Sequence, residues 1–127
     1  MALALAFAAP LAAQAPSQCP LTEYALTGTV VAADDVPVAG ARISAQWEEG
    51  PGGGLATTRA RSAPDGRFAL KVQFDTYSGQ TFSGEHKCEA TLEAVELQVT
   101  AEGYRDLRRS AALGTEPTNV KLELRRR

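Results

Sequence analysis

The chain has 127 residues, which is enough for about one domain. Its 13 Lys and Arg residues and 15 Asp and Glu residues give a formal net charge of -2, so a strongly basic nucleic-acid binder is excluded. Two Cys are too few for a small fold packed around several disulfides, and one His leaves little material for a histidine-rich metal centre or active site.

The N-terminal segment 1–15 is apolar and uncharged, and it ends in Ala13-Gln14-Ala15. This small-x-small ending is typical of signal-peptide cleavage, and the run is shorter than the about 20 residues that a transmembrane helix needs. An apolar helix of the core is the alternative. We predict a cleaved signal peptide over 1–15, a secreted or periplasmic protein without a transmembrane span, an N-terminal segment over 16–22 and one domain over 23–127.

Export would place the two cysteines in an oxidising compartment, where two Cys in a small domain usually pair. We therefore predict a disulfide between Cys19 and Cys88. The alternative is a reactive thiol or a metal ligand, since His86 lies two residues before Cys88. A structural zinc site needs four ligands, however, and this pair supplies two.

Alternation with period two along the rest of the chain predicts strands rather than helices. In the clearest case, Phe68, Leu70, Val72 and Phe74 recur at every second position. One buried and one wetted face is typical of antiparallel sheets, so the predicted fold class is all-β. We expect a seven-stranded antiparallel sandwich of the prealbumin-like or immunoglobulin-like kind. Its predicted strands are 24–33, 41–48, 55–62, 67–74, 95–100, 105–111 and 120–125.

Turn-forming residues separate these strands at 34–37, 50–54 and 64–66, and a longer polar loop occupies 75–89. Rigid sandwiches usually carry function on loops at one end. The glycine-rich tip 50–54 and the loop 75–89 are therefore the predicted contact surface. Its possible contact residues are Gly52, Gly53, Tyr77 and His86.

Four motifs then follow one another in the order of a known family. They are Leu26-Thr27-Gly28-Thr29-Val30, Val36-Pro37-Val38-Ala39-Gly40-Ala41, Asp65-Gly66-Arg67-Phe68 and Ala101-Glu102-Gly103-Tyr104. Over about 21–124, nearly the whole chain after the predicted signal peptide, the sequence resembles the carboxypeptidase regulatory-like domain, a prealbumin-like sandwich. The resemblance implies an accessory role, since in metallocarboxypeptidases the zinc and the catalytic residues lie in another domain. The positions that carry the fold motif here are Gly28, Pro37, Gly40, Asp65, Gly66, Phe68, Gly103 and Tyr104.

Two enzyme families share parts of this pattern. Hydroxyisourate hydrolases need several histidines, and intradiol dioxygenases bind iron through paired Tyr and His residues, whereas this chain has only His86. We therefore predict that the protein is not an enzyme and has no catalytic residues, cofactor or metal. A calcium site at Asp34, Asp35 and Asp65 is the alternative, because oxygen ligands from turns suit Ca²⁺.

Charge is unevenly distributed along the chain. Arg59, Arg61 and Arg67 flank the turn at 64–66, the C-terminal third is basic, and the segment 85–96 is acidic. Solvated strand faces with weak ion pairs are the simpler interpretation. A basic edge that meets an anionic envelope surface or an acidic partner is the alternative.

These features together predict a non-catalytic, exported β-sandwich module. It would bind a protein or carbohydrate partner, or give structural support in the cell envelope, and it would not bind nucleic acid. The alternative function is a small hydrolase or metal-dependent enzyme of prealbumin-like fold.

Overall fold

A computed structural model describes residues 19–127, so the predicted signal peptide lies outside the described residues. All seven predicted strands are present, which confirms the all-β class, and two further short strands form a hairpin inside the predicted loop 75–89. The strands are β1 Leu21–Val31, β2 Arg42–Glu48, β3 Leu55–Arg61, β4 Arg67–Asp75, β5 Gly79–Gln80, β6 His86–Lys87, β7 Ala94–Thr100, β8 Leu107–Ala112 and β9 Thr118–Glu123.

The strands form a sandwich of a three-stranded sheet in the order β4-β1-β9 and a four-stranded sheet in the order β3-β2-β7-β8. Neighbouring strands are antiparallel, as predicted, except that β9 runs parallel to β1. This pair differs from the prediction because the chain leaves β8 in one sheet and enters β9 in the other. The β8–β9 connection crosses between the sheets, so no hairpin forces β9 to run against its neighbour.

The first strand begins three residues earlier than the sequence pattern suggests. Leu21 lies opposite Asp75 in the β1–β4 register, so part of the predicted N-terminal segment 16–22 belongs to the sheet. Alternation fails to reveal this stretch because Leu21 is exposed on the outer face. The pairing with β4 therefore extends the strand beyond its amphipathic part.

The core lies between the two sheets and is built from the apolar residues that recur at every second position. Leu26, Ile43, Leu97 and Leu122 are almost completely buried and come from both sheets. Burying each such side chain stabilises the fold by about 1.5–3 kcal/mol. Because successive side chains of a strand point to opposite faces, burying this set in the core leaves the intervening residues on the outer faces.

Glycine is required at a close approach between β1 and its neighbours. A Cβ built on Gly28 would lie 2.3 Å from the backbone oxygen of Val120 and 2.8 Å from the ring of Phe68. At the turn before β4, Gly66 has φ +84°, and its Cβ would lie 2.6 Å from the backbone oxygen of Val30. These two motif glycines let strands and turns approach more closely than any side chain would allow.

Candidate anion-binding face

The outer face of the four-stranded sheet carries arginines on directly opposed positions. Arg42 on β2 faces Arg61 on β3, and on its other side it faces Thr100 on β7. The next outward-facing residue of β2 is Ser44, which lies between Arg59 on β3 and Gln98 on β7. Like charges directly opposite one another on neighbouring strands destabilise a sheet. The fold therefore bears a local electrostatic cost at this face.

A buried serine holds the two strands together beside the opposed arginines. The hydroxyl of Ser62 accepts a hydrogen bond from the Ala41 N–H at 2.8 Å and donates one to the Val38 carbonyl at 2.6 Å. The Ser62 N–H also donates to the Ala41 carbonyl at 2.9 Å. Because these bonds are buried, they fix the register of β2 and β3 next to Arg42 and Arg61.

Three arginines line a groove of about 570 Å³ on this face. Its lining residues are Arg42, Ile43, Ser44, Arg59, Ala60, Arg61, Gln98 and Thr100, a set without a carboxylate. Guanidinium groups present a planar fork of donors that suits carboxylate and phenolate oxygens. Hydroxyl and amide groups beside them add neutral hydrogen-bonding groups. The groove therefore has the donor chemistry of an anion site, which we name the arginine groove.

The arginines of this groove are not neutralised by ion pairs. Within residues 19–127 the ion pairs are Arg67 with Asp65, Lys87 with Glu89, and Lys121 with Asp35. Glu102 and Asp106 line an adjoining cavity together with Arg42 and Arg61. Neither of these carboxylates forms an ion pair in the described part of the chain, so they do not clamp the arginines of the groove.

The opposite end of the sandwich carries the contact residues predicted from the sequence. Tyr77 and His86 form an edge-to-face ring pair with centroids 5.2 Å apart. The glycine-rich tip lies against Tyr77, whose backbone oxygen would be 2.4 Å from a Cβ on Gly50. Gly53 and Tyr77 line one shallow cavity of about 320 Å³, and Gly52, with φ +77°, lies at the exposed end of the tip.

The predicted disulfide is present at this end. Cys19 and Cys88 are bonded with their Cα atoms 5.4 Å apart. Cys19 is buried, and the bridge ties the start of the described chain to the segment that follows β6. The Thr76 hydroxyl donates to the Pro20 carbonyl at 2.8 Å and adds a second connection. The β5–β6 hairpin is therefore anchored to the body of the sandwich.

The positions of the sequence motif do not come together in one site. Gly28 and Phe68 lie in the interior between β1 and β4, whereas Gly103 and Tyr104 lie in the turn before β8. The guanidinium of Arg126 lies 5.1 Å from the centre of the Tyr104 ring. Pro37, Gly40, Asp65 and Gly66 occupy turns between strands. These residues therefore shape strand connections rather than a shared cavity.

The described residues do not fit a metal centre. In residues 19–127 no group of three or more His, Cys, Asp and Glu side chains could hold a metal ion. Two of the three proposed calcium ligands serve other partners, since Asp65 accepts a hydrogen bond from the Arg67 N–H at 3.1 Å and Asp35 forms an ion pair with Lys121. The hydrogen bond from Lys121 to Asp35 and the charge of Asp35 raise the pKa of Lys121 above its usual value.

Comparisons with known proteins give likeness in structure only. No protein-family model matches the chain, and no curated protein matches its sequence. The chain is similar to 3-chlorocatechol 1,2-dioxygenase from Rhodococcus opacus 1CP, with a TM-score of 0.58, 14% identity, and 88% of this chain and 63% of that chain covered. It is also similar to hydroxyquinol 1,2-dioxygenase from Pseudomonas putida DLL-E4, with a TM-score of 0.54, 14% identity, and coverage of 83% and 57%.

A third structural neighbour is a chlorocatechol 1,2-dioxygenase from Pseudomonas putida, with a TM-score of 0.53, 11% identity, and coverage of 84% and 60%. The chain spans about 60% of the length of these three enzymes. At such identities the likeness establishes a shared fold. It has no bearing on the carboxypeptidase regulatory-like resemblance, which stays a prediction.

The neighbours correct the functional prediction. The prediction of a non-catalytic envelope module for protein or carbohydrate binding is wrong, because the structural neighbours described above are dioxygenases. The motif residues misled the interpretation because they report turns and close approaches, which enzymes and accessory domains of this architecture have in common. Within residues 19–127 no helix is long and apolar enough to cross a membrane.

Proposed function

We propose that this domain binds a small aromatic anion, a carboxylate or a phenolate, in the arginine groove. The observation that carries the proposal is the direct opposition of Arg42 and Arg61 on neighbouring strands. An anion between two guanidinium groups converts their mutual repulsion into two charge-assisted contacts. Binding therefore relieves a cost that the free domain bears.

The aromatic part of the ligand is suggested by both chemistry and fold. Guanidinium groups stack on aromatic rings while they donate hydrogen bonds to oxygens in the ring plane. The structural neighbours are named for chlorocatechol, an aromatic diol, and hydroxyquinol, an aromatic triol, both of which become phenolates on losing a proton. A benzoate or a catecholate would place its oxygens between the arginines and its ring over Ser44.

The proposal does not include ring cleavage through iron. Intradiol dioxygenases hold iron through paired Tyr and His residues, and His86 is the single histidine of the whole sequence. Of the three tyrosines, Tyr77 lies beside His86, Tyr24 packs against the core from β1, and Tyr104 lies in the turn before β8. The donor set of this chain does not fit such a centre.

The proposal is tested by calorimetric titration with benzoate and catecholate at low ionic strength, with uncharged benzamide as the ligand control. Charge-assisted hydrogen bonds contribute about 1.5–3 kcal/mol each, so we expect Arg42→Gln or Arg61→Gln to weaken binding roughly 10-fold to 100-fold. Lys71→Gln, which removes an exposed charge from the other sheet, is the matched control and should bind as the parent chain does.

Equal binding by the arginine variants and the parent chain would refute the site. Binding of benzamide as tightly as benzoate would refute an anion as the ligand. The same samples also test for enzyme activity. If the chain supplemented with iron consumed catechol and dioxygen, the conclusion that its side chains do not fit an iron centre would be contradicted.

A further inference from the structure

The tip of the β5–β6 hairpin presents a large apolar side chain to solvent. Phe82 is fully exposed, more so than any other large hydrophobic residue among those described. The turn that carries it is ordered by local hydrogen bonds, including one from the Gly84 N–H to the Thr81 carbonyl at 3.0 Å and one between the Thr81 and Ser83 hydroxyls at 2.9 Å. Aromatic side chains dominate the energetics of protein interfaces, so this ring is a candidate anchor.

The backbone that carries this ring is anchored to the domain. The Ser78 N–H donates to the Lys87 carbonyl at 2.7 Å across the hairpin, and the disulfide fixes Cys88 to the body of the domain. An aromatic side chain on an ordered turn loses little conformational entropy on binding, which is why such residues serve as anchors of interfaces.

Charge around the hairpin complements the arginine groove. Glu85 lies in the same hairpin turn as Phe82, where its carbonyl accepts a hydrogen bond from the Thr81 N–H, and Glu89 follows the hairpin and pairs with Lys87. Further carboxylates at this end of the sandwich belong to Glu23, Glu48, Glu49, Asp75 and Glu93. The end of the sandwich that carries the hairpin is therefore rich in carboxylates, which suits an apolar anchor that enters a positively charged site.

The two features cannot meet within one molecule. Arg42 begins β2, whereas Glu48 ends it and leads into the tip that contacts Tyr77 at the hairpin end. Seven residues of strand separate these ends by about 20 Å, at roughly 3.3 Å for each residue. Any contact between the hairpin and the arginine groove joins two copies of the chain.

We propose that the hairpin of one copy docks into the arginine groove of a second copy. Phe82 stacks on the guanidinium groups of Arg42 or Arg61, and Glu85 pairs with the arginine that the ring leaves free. The contact is head-to-tail, so each bound copy offers a free hairpin and a free groove to the next. The copies therefore form open chains whose length depends on concentration and salt.

This assembly shares the groove with the small-anion site but does not depend on it. The hairpin variants leave the groove intact, so Phe82→Ala should abolish assembly and keep benzoate binding. A chain that assembles but binds no benzoate would contradict the small-anion proposal alone, and one that binds benzoate without assembling would contradict the docking alone.

Sedimentation velocity of the full chain at low ionic strength tests the docking. We expect the average mass of the parent chain to rise with concentration and to fall when salt or benzoate is added. Phe82→Ala should remain monomeric, and since Phe82 is fully exposed, its thermal midpoint should match that of the parent. Val36→Ala, at another exposed apolar residue that belongs neither to the hairpin nor to the lining of the arginine groove, is the control and should assemble like the parent.

A mixture of two variants tests the head-to-tail geometry. Phe82→Ala with Glu85→Gln removes the anchor, and Arg42→Gln with Arg61→Gln removes the groove, so neither variant should self-associate. Mixed together, they retain one hairpin and one groove and should form a complex of two copies and no larger species. A monomeric parent chain at high concentration, unchanged assembly of Phe82→Ala, or larger species in the mixture would overturn the proposal.

Discussion

Replacing Gly28 with Ala probes how closely β1 approaches its neighbours. The added Cβ would lie 2.3 Å from the backbone oxygen of Val120 and 2.8 Å from two atoms of the Phe68 ring. The oxygen belongs to the backbone of β9, so it cannot rotate away, and the ring is buried, so it can move only by disturbing the core. Either β9 or the Phe68 side chain must shift.

Overpacking of this kind destabilises a protein by about 1–3 kcal/mol. We expect urea denaturation of Gly28→Ala to show a loss of that size, with a thermal midpoint lower by about 4 °C for each kcal/mol. Gly114→Ala is the control, because nothing lies within 4 Å of its Cβ and its φ is not positive. It should leave stability unchanged or raise it slightly. Equal stability of Gly28→Ala and the parent chain would refute the close β1–β9 pairing.

The disulfide, the buried Ser62 hydrogen bonds and the Lys121–Asp35 pair each allow a test by substitution. Replacing Cys19 and Cys88 with Ser should lower the free energy of unfolding by about 2–5 kcal/mol in denaturant titrations, and an unchanged midpoint would contradict the structural role of the bridge. Ser62→Ala leaves two buried backbone groups without their partner and should cost about 1–3 kcal/mol by the same assay, with an undiminished stability as the contrary result. Asp35→Asn should lower the pKa of Lys121 in an NMR titration, because the hydrogen bond and the charge of Asp35 raise that pKa. A lysine whose pKa is raised on folding stabilises the folded state only while it is protonated, so the stability difference between the parent chain and the variant should fade as the pH rises above about 10.5. An unchanged Lys121 titration would contradict the pair.

Much of the fold is predictable from the sequence because alternation is a local property. The positions of Phe68, Leu70 and Val72 in one strand already assign them to one face, and the structure buries all three. The pairing of strands within a sheet is not a local property. The parallel pairing of β9 with β1 depends on a connection that crosses between sheets, and no local residue pattern encodes it.

The arginine groove was only partly accessible to sequence reasoning. Alternation places Arg42, Arg59 and Arg61 on outward faces, and the turn at 64–66 suggests that Arg61 lies near Arg67. The opposition of Arg42 and Arg61 requires the β2–β3 register, which depends on the buried Ser62 bonds and on the length of the glycine-rich tip. The strand lengths contain a signal for this opposition. When a tip joins two strands of equal length, as it joins β2 and β3, the first residue of one strand pairs with the last residue of the other.

The functional prediction failed for a related reason. The motif that includes Gly28 and Gly66 reports close backbone approaches, and these are common to accessory domains and enzymes of the same architecture. The cysteines were more informative, since a chain with two cysteines has one possible intramolecular pairing, and Cys19 and Cys88 are bonded in the structure.

The most direct test of the central claim is an NMR titration that follows the arginine side-chain Nε–Hε signals as benzoate is added. We expect the signals of Arg42 and Arg61 to shift together and to saturate with a single dissociation constant. The signal of Arg109, which donates to the Lys121 carbonyl outside the groove, should stay in place. Uniform small shifts of all arginine signals without saturation would contradict a site between the opposed arginines.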